Sequence, residues 1–581
     1  MRIKHFFGLA VIAAMTASCS SNNDLVVGGG NGSGENESGV SYASFSINLP
    51  TTRGTRADGD PTFEDGNTDE YKVNDATLLI FKKGATEKEG DYTFVESAEL
   101  GSMAPWKDKN EPGVTTHAKI TAKLTQVNKA DKFFALVLLN NGTGTNAKVT
   151  LPEDGEKFST WNATATNKFA TPDNGFYMAN APLFKNNNVT TLVPIESTKI
   201  YPTEEEAAKN AATDVYVERG LAKVTLGTGT TTGKTVNSDT YQGDQVTISK
   251  WALDVTNKNA YPIHNVDGLT DKFPNIWSND ATTASPTNSA TTQRFVDNNP
   301  ATLAKRVYWG IDPNYENKAL CKEDADGTTA RKKEFNYVTN TADVKEDPNK
   351  PLYCLENTFN LENMMQGQTT RIIFKATYKP ASLPEGENTF YKIGKNTAIW
   401  READLKQEIE AAVASVVPGA AGKTKVNLAA SENDITAAGT HYIAAANIKV
   451  TDATGTTGAT ITPENITAIN TQLGLNKDKK VGISTYADGE SYYVARIKHF
   501  GDALTKWQSG QPYKNDDLSF LGRYGMLRNN WYELIVESVS GPGYPSVPEV
   551  KPNTPDDEDD MYIKVSVKIL KWAKRSQKVN L

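Results

Sequence analysis

"MYIKVSVKIL", Met561–Leu570, alternates without a break: Ile563, Val565, Val567 and Ile569 are apolar, and Lys564, Ser566 and Lys568 between them are polar. Successive side chains of a strand point to opposite faces, so this period of two predicts a β-strand with one buried face. The run before it, "PSVPEVKPNTPDDEDD" (Pro545–Asp560), is proline-rich and acidic and reads as a linker. The strand is therefore expected to stand away from the body. Its apolar face and its backbone N–H and C=O groups still need cover, and the partner that supplies it decides the architecture.

The same alternation occurs near the other end. In "SYASFSINLP", Ser41–Pro50, the residues Phe45, Ile47 and Leu49 form one face, and Pro50 ends the strand. Further strands are expected at Val73–Phe81 and at Asp214–Leu226. The run Phe133–Asn141 is almost continuously apolar and therefore central in its sheet. A second set begins at Asp244–Ile263 and continues through Thr369–Tyr378, Ser491–Phe500 and Asn529–Val539. Helical spacing, with acidic residues at the start, predicts a helix over Arg401–Val417, and Pro463–Leu475 reads as a shorter one. Two groups of short strands without strand–helix alternation predict a mainly β fold: two tandem β-sandwiches, the second with a small helical insertion.

Composition agrees. At 581 residues the chain exceeds what one core usually holds, and 38% hydrophobic residues suffice for several. Abundant Thr, Asn, Gly and Asp favour strands joined by many turns. The net charge of −8 includes no basic tract for nucleic acid and no strongly acidic body for a cationic substrate.

The chain starts as an export signal: Arg2 and Lys4, then the short apolar run "GLAVIAAM", then "TASC". That run is too short to cross a bilayer. Cys19 after Ala17 and Ser18 reads as a lipidation site, followed by the flexible tether "GGGNGSGENESG"; an ordinary signal peptide with a chance cysteine is the alternative. Outside the cytoplasm, Cys321 and Cys354 form either a disulfide or two buried thiols.

Catalytic and metal-binding patterns are missing from the sequence. None of the five histidines has metal-ligand spacing, and there is no G-x-S-x-G. "GTGTTTGKT" fails as a phosphate loop because Thr228 stands where the first glycine belongs, and "GAAGKT" fails at Val417. The first of these is read as an interdomain turn. "PDDEDD", Pro555–Asp560, lacks the Asp-x-Asp-x-Asp-Gly order of a calcium loop and reads as solvated linker. No enzyme activity and no cofactor are expected.

Several stretches in order resemble the Mfa-type (short-fimbria) shaft subunits of Bacteroidales, within the FimA/Mfa-like fimbrillin superfamily. They are "TASC" (Thr16–Cys19), "TRADGD" (Thr55–Asp60), "VYVERGLAKVTL" (Val215–Leu226), "LRNNWYELIVESV" (Leu527–Val539) and the end of the chain, Met561–Leu581. The resemblance implies transthyretin-like sandwiches and an outer-membrane lipoprotein precursor acylated, with palmitate, at Cys19. It implies cleavage by an arginine-specific protease between Arg56 and Ala57, in preference to Arg53–Gly54. The cut would remove the strand carrying Phe45, Ile47 and Leu49. The terminal strand of another subunit, through Ile563, Val565, Val567 and Ile569, would fill the vacated groove and build a surface fimbria that supports adhesion. The organisation expected is then signal peptide 1–18, propeptide 19–56, N-terminal sandwich 57–228, C-terminal sandwich 234–544, and linker with donor strand 545–581. Expected partners are further copies, anchor and tip subunits, the protease, and host or bacterial surface ligands. The membrane is met only through the precursor's lipid. An anchor or tip subunit, or a glycan-binding surface lipoprotein, is the alternative.

Overall fold

The computed structural model describes residues 39–50, 67–101, 114–185, 188–269, 305–307, 309–315, 331–359, 363–394, 396–428, 440–451, 458–479, 481–499, 521–550 and 563–571. Within these the chain is mainly β. The strands that frame the argument are β1 (Ser41–Pro50), β2 (Ala76–Lys82), β3 (Thr93–Glu99), β4 (Val114–Leu124), β5 (Phe133–Leu139), β6 (Met178–Asn180), β7 (Val193–Ile195) and β8 (Thr213–Arg219) in the first part of the chain. The second part contributes β9 (Leu221–Leu226), β10 (Gln245–Asp254), β11 (Leu352–Leu355), β12 (Arg371–Lys379), β13 (Glu490–Arg496), β14 (Asn530–Val539) and β15 (Ile563–Lys571). The helices used below are α1 (Thr68–Tyr71), α2 (Glu204–Lys209), α3 (Glu402–Val416) and α4 (Pro463–Gln472).

The first sheet has eight strands in the order β3-β2-β5-β6-β8-β1-β4, with β7 beside β5. As its apolar run predicts, β5 is central: Ala135 to Leu139 are all buried. The sheet curls so that β3 comes against β4. One apolar cluster fills the interior, joining Phe45 and Ile47 of β1 to Leu78, Ile80, Leu136 and Val215. Faces of one curled sheet closing on a shared core make a sandwich.

In the second part, β11-β9-β14-β15 form one sheet, and Lys234–Thr235, β10, β12 and β13 form another. A single cluster takes Val224, Tyr532 and Leu534 from the first of these and Trp251, Phe374 and Tyr493 from the second. This is the second sandwich. The helical insertion has a core of its own, in which Leu405, Ile409 and Val413 of α3 meet Ile469 of α4. These α3 residues recur at helical spacing, so one stripe of the helix is buried. Thr462 caps α4, its Oγ1 accepting from Asn465 N at 3.3 Å, and Pro463 takes the first turn.

The stretch Asp214–Leu226, expected to close the first set of strands, does not stay in one sheet. It divides at Gly220: β8 belongs to the first sandwich and β9 to the second. The change of sheet thus falls before the Gly/Thr-rich turn where the sequence pattern suggests it. A Cβ on Gly220 would meet the Phe169 ring at 3.0 Å and the Tyr177 ring at 3.3 Å, so only glycine lets the chain pass this close to the ring pair.

Buried charges sit at this crossing. Arg528 forms a two-toothed pair with Glu356, its Nε at 2.9 Å from Oε2, and both side chains are almost wholly buried. Glu356→Gln is expected to lower stability by about 3 kcal/mol, since it takes from the buried guanidinium the carboxylate paired with it; urea unfolding followed by far-UV circular dichroism reads the change.

Cys354, on β11 opposite Ala222, is a free and buried thiol. Burial pushes its pKa up to about 12. Cys321 lies outside the described residues. With Cys19 and Cys321 replaced by serine, the folded chain is expected to leave Cys354 unlabelled by an aromatic disulfide reagent at pH 8 and to expose one thiol on unfolding.

Candidate strand-exchange site

The strand β1 lies inside a sheet, between two neighbours. It runs antiparallel to β4 from Ser41 opposite Leu124 to Leu49 opposite Thr116. On its other edge it runs parallel to β8, from Phe45 opposite Thr213 to Asn48 opposite Tyr216. Phe45 and Ile47 have no exposed surface and Leu49 is 2% exposed. The three candidates for the removable strand therefore face the core together, as the period-two pattern predicts. Burial of three such side chains contributes about 5–9 kcal/mol to the uncut chain.

The other face of β1 is covered at one end by α2. Thr203 caps this helix, and its three leading glutamates suit the helix start. Ser44 Oγ donates to Ala207 O at 2.7 Å and shares a hydrogen bond of 2.8 Å with Thr121 Oγ1 of β4. Among the described residues β4 has no strand neighbour except β1. Ala122 and Leu124 of β4 join the apolar core, and Lys119 Nζ donates to Ala208 O and Asn210 O at 2.7 Å each. At its end the Glu96 carboxylate accepts from Thr125 N and Gln126 N. Loss of β1 would leave a slot between β4 and β8, lined by apolar side chains and by unpaired edges on both sides.

Downstream of β1, the chain is tied down at α1. Glu70 is buried, and Lys223 Nζ lies 2.7 Å from its carboxylate. Tyr353 Oη donates to the same carboxylate at 2.6 Å, and Arg219 Nε donates to the Glu70 carbonyl at 2.7 Å. Arg219 Nη1 also donates to Asn529 Oδ1 at 3.1 Å, and Trp531 Nε1 donates to Thr225 Oγ1 at 2.7 Å. The Lys223 ammonium stands 3.8 Å from the centre of the Trp531 ring. The two sequence motifs around Arg219 and Asn529 thus meet, with β9 and β14 parallel neighbours. No periodicity pointed to Glu70 or Lys223; their partners are remote in sequence.

The terminal strand differs from expectation. Instead of standing away from the body, β15 pairs antiparallel with β14, from Asn530 opposite Lys571 to Val539 opposite Ile563, with an irregularity between Val536 and Ser538. Among the described residues it forms the edge of its sheet, with β14 as its one strand partner. The backbone positions of Ile563, Val565, Val567 and Ile569 are thereby placed at an edge of the C-terminal sandwich. Cys19, Arg53, Arg56 and Ala57 lie outside the described residues.

His264 Nδ1 is 3.0 Å from Glu218 Oε1, and His499 Nδ1 is 2.8 Å from Tyr532 Oη; both rings are buried. Among the described residues no group of three or more His, Cys, Asp or Glu side chains could hold a metal ion, and no helix is long and apolar enough to cross a membrane.

Residues 484–578, which include β13, β14 and β15, match the family model of the C-terminal region of fimbrillin, the major fimbrial subunit protein type IV. This stretch of the chain is similar to the C-terminal region of fimbrillins. No curated protein matches the chain. Among solved structures it is similar to a protein of Parabacteroides distasonis ATCC 8503 provisionally described as a cell adhesion protein, with 11% identity, a TM-score of 0.37, and coverage of 92% of this chain and 99% of that one. It is also similar to a fimbrial assembly protein of the same organism, with 11% identity, a TM-score of 0.27, and coverage of 62% of this chain and 93% of that one.

Proposed function

We propose that this protein is a fimbrillin-type shaft subunit of a surface fimbria, exported as a lipoprotein through Cys19, cut after Arg56 and polymerised by exchange of its C-terminal strand. The observation that carries the proposal is the position of β1: a buried strand flanked on both edges, with Arg53 and Arg56 following it in the sequence, before the rest of the first sandwich. Cleavage there frees β1 and Cys19 together, while α1 stays pinned through Glu70 to Lys223 and Tyr353. The vacated slot offers two strand edges and an apolar floor, and Ile563, Val565, Val567 and Ile569 bring the period of two that β1 removes. Each subunit then has one slot and one donor strand. Such a contact joins unlike surfaces and does not close on itself, which makes filaments. Anchor and tip subunits would end the shaft, and adhesion to surface ligands would be its use.

The experiment is N-terminal sequencing and electron microscopy of the secreted protein before and after cleavage by a trypsin-like protease. The expected mature terminus is Ala57, with fibres only in cut material. Fibres that form equally from uncut chain would sink the proposal, and a terminus at Cys19 would move the protein to the anchor role.

A second reading is favoured by the pairing of β15 with β14. On this reading the terminal strand is a fixed part of the C-terminal sandwich, and the protein is a surface lipoprotein that stays monomeric and binds glycans.

A further inference from the structure

The slot of β1 is closed on its outer face at Ser44, and again at its far end at Asn48. Ser44 is 1% exposed, and the Ala207 above it has no exposed surface. The hydroxyl of Ser44 fits between a carbonyl of α2 and the Thr121 hydroxyl of β4. Tyr42 and Ser46, on the same face two residues to either side, are only partly covered. Around Ser44 the outer wall therefore has a narrow place for a small hydrogen-bonding side chain, with an opening on each side of it.

The polar face of the terminal strand reads Lys564, Ser566, Lys568. Large, small, large is the pattern that this wall admits. We infer that Ser566 is the residue that sets the register of strand exchange: Ser566 of one subunit takes the place of Ser44 beneath α2 of the next. The inference rests on the donor-strand reading above. Val565 and Val567 then fall at the core positions of Ala43 and Phe45, and the two lysines fall at the openings beside Tyr42 and Ser46. Because Ser566 is the centre of the triplet, the assignment is the same whichever way the donor strand runs.

The other registers fail for physical reasons. A shift of one residue turns the apolar row of the donor outward and its lysines into the core. A shift of two residues puts Lys564 or Lys568 beneath α2. There the ammonium would lose its water and find a carbonyl and a hydroxyl but no carboxylate. Ser566 thus gives the fibre a single register where four similar apolar positions alone would allow several. Specificity arises from what the wall excludes.

The test uses the full chain, cut at Arg56, with synthetic peptides of Met561–Lys571 added as competitors of fibre growth. The unaltered peptide should occupy slots and stop growth, and the Ser566→Ala peptide should act within a few-fold of it. The Ser566→Trp peptide should need about 100-fold more for the same effect, because a ring cannot enter beneath α2 without displacing it. The Lys568→Trp peptide, equally bulky but placed at an opening, should inhibit like the unaltered one. Equal inhibition by the Ser566→Trp and unaltered peptides would overturn the register, as would equal loss with Lys568→Trp. If the cut chain forms no fibres, or the unaltered peptide does not inhibit them, the donor-strand reading itself fails.

Discussion

Replacing Phe45 by aspartate in the uncut chain is expected to lower its melting temperature by about 10–20 °C. The ring is wholly buried in the core of the first sandwich, among side chains that include Ile47 and Val215. Truncating a buried phenylalanine alone costs about 3–5 kcal/mol, and aspartate adds a carboxylate with no cation facing it in that core. A loss of about 5 kcal/mol corresponds to about 2–4 °C per kcal/mol in a domain of this size. Calorimetry of the uncut chain should show the first transition displaced and the second in place, since the two sandwiches have separate cores. Ser46→Asp, one residue away on the partly covered face, is the control and should change the melt by no more than a few degrees. An unmoved first transition in Phe45→Asp would mean that β1 contributes nothing to the core, and the slot would lose its physical basis.

The parts of this fold that depend on period were legible in the sequence. Phe133–Leu139 and Ser41–Pro50 are strands where apolar runs and alternation put them, and the helix over Glu402–Val416 is where its spacing and acidic start put it. What period does not carry is partnership. The sequence of β15 shows a strand with an apolar face, but nothing in its pattern, or in the run Pro545–Asp560 before it, names β14 as its partner. Proline and acidic composition predicted reach and did not predict return. The split of Asp214–Leu226 at Gly220 escaped for a similar reason. One alternating run serves two sheets, and only the rings of Phe169 and Tyr177, remote in sequence, show why a glycine interrupts it. Glu70 and Lys223 belong to this class as well: a buried ion pair between residues so far apart leaves no local trace. Ser44 is the subtler case. Its small size is visible in the sequence, but the need for it comes from α2, which passes overhead only in the folded chain.

Val567→Asp is expected to abolish fibres in the cut chain while leaving the monomer folded, and the two halves of that outcome have separate causes. In the slot the donor strand would be enclosed between β4 and β8, and its four apolar residues would contribute about 6–12 kcal/mol before the cost of ordering the strand. A carboxylate in the middle of that row takes away one of the four contributions and adds the cost of burying a charge; together these exceed what main-chain hydrogen bonds can restore. At home the same strand is, among the described residues, an edge with the single neighbour β14. If it detaches, β14 becomes the new edge, while Tyr532, Leu534 and Val536 still meet Phe374 and Tyr493 within the sandwich. The monomer should therefore keep its far-UV circular dichroism and a cooperative urea transition, and electron microscopy should find no fibres after cutting. The competing view, that β15 is a permanent strand of its own sandwich, predicts the reverse. The C-terminal sandwich of Val567→Asp would then melt early, and the wild-type chain would remain monomeric after its first strand is cut away. On the donor-strand proposal, transfer of the strand from a place with one neighbour to a place with two would be the step that favours exchange, and the same nine residues, Ile563–Lys571, would complete a monomer and join a polymer.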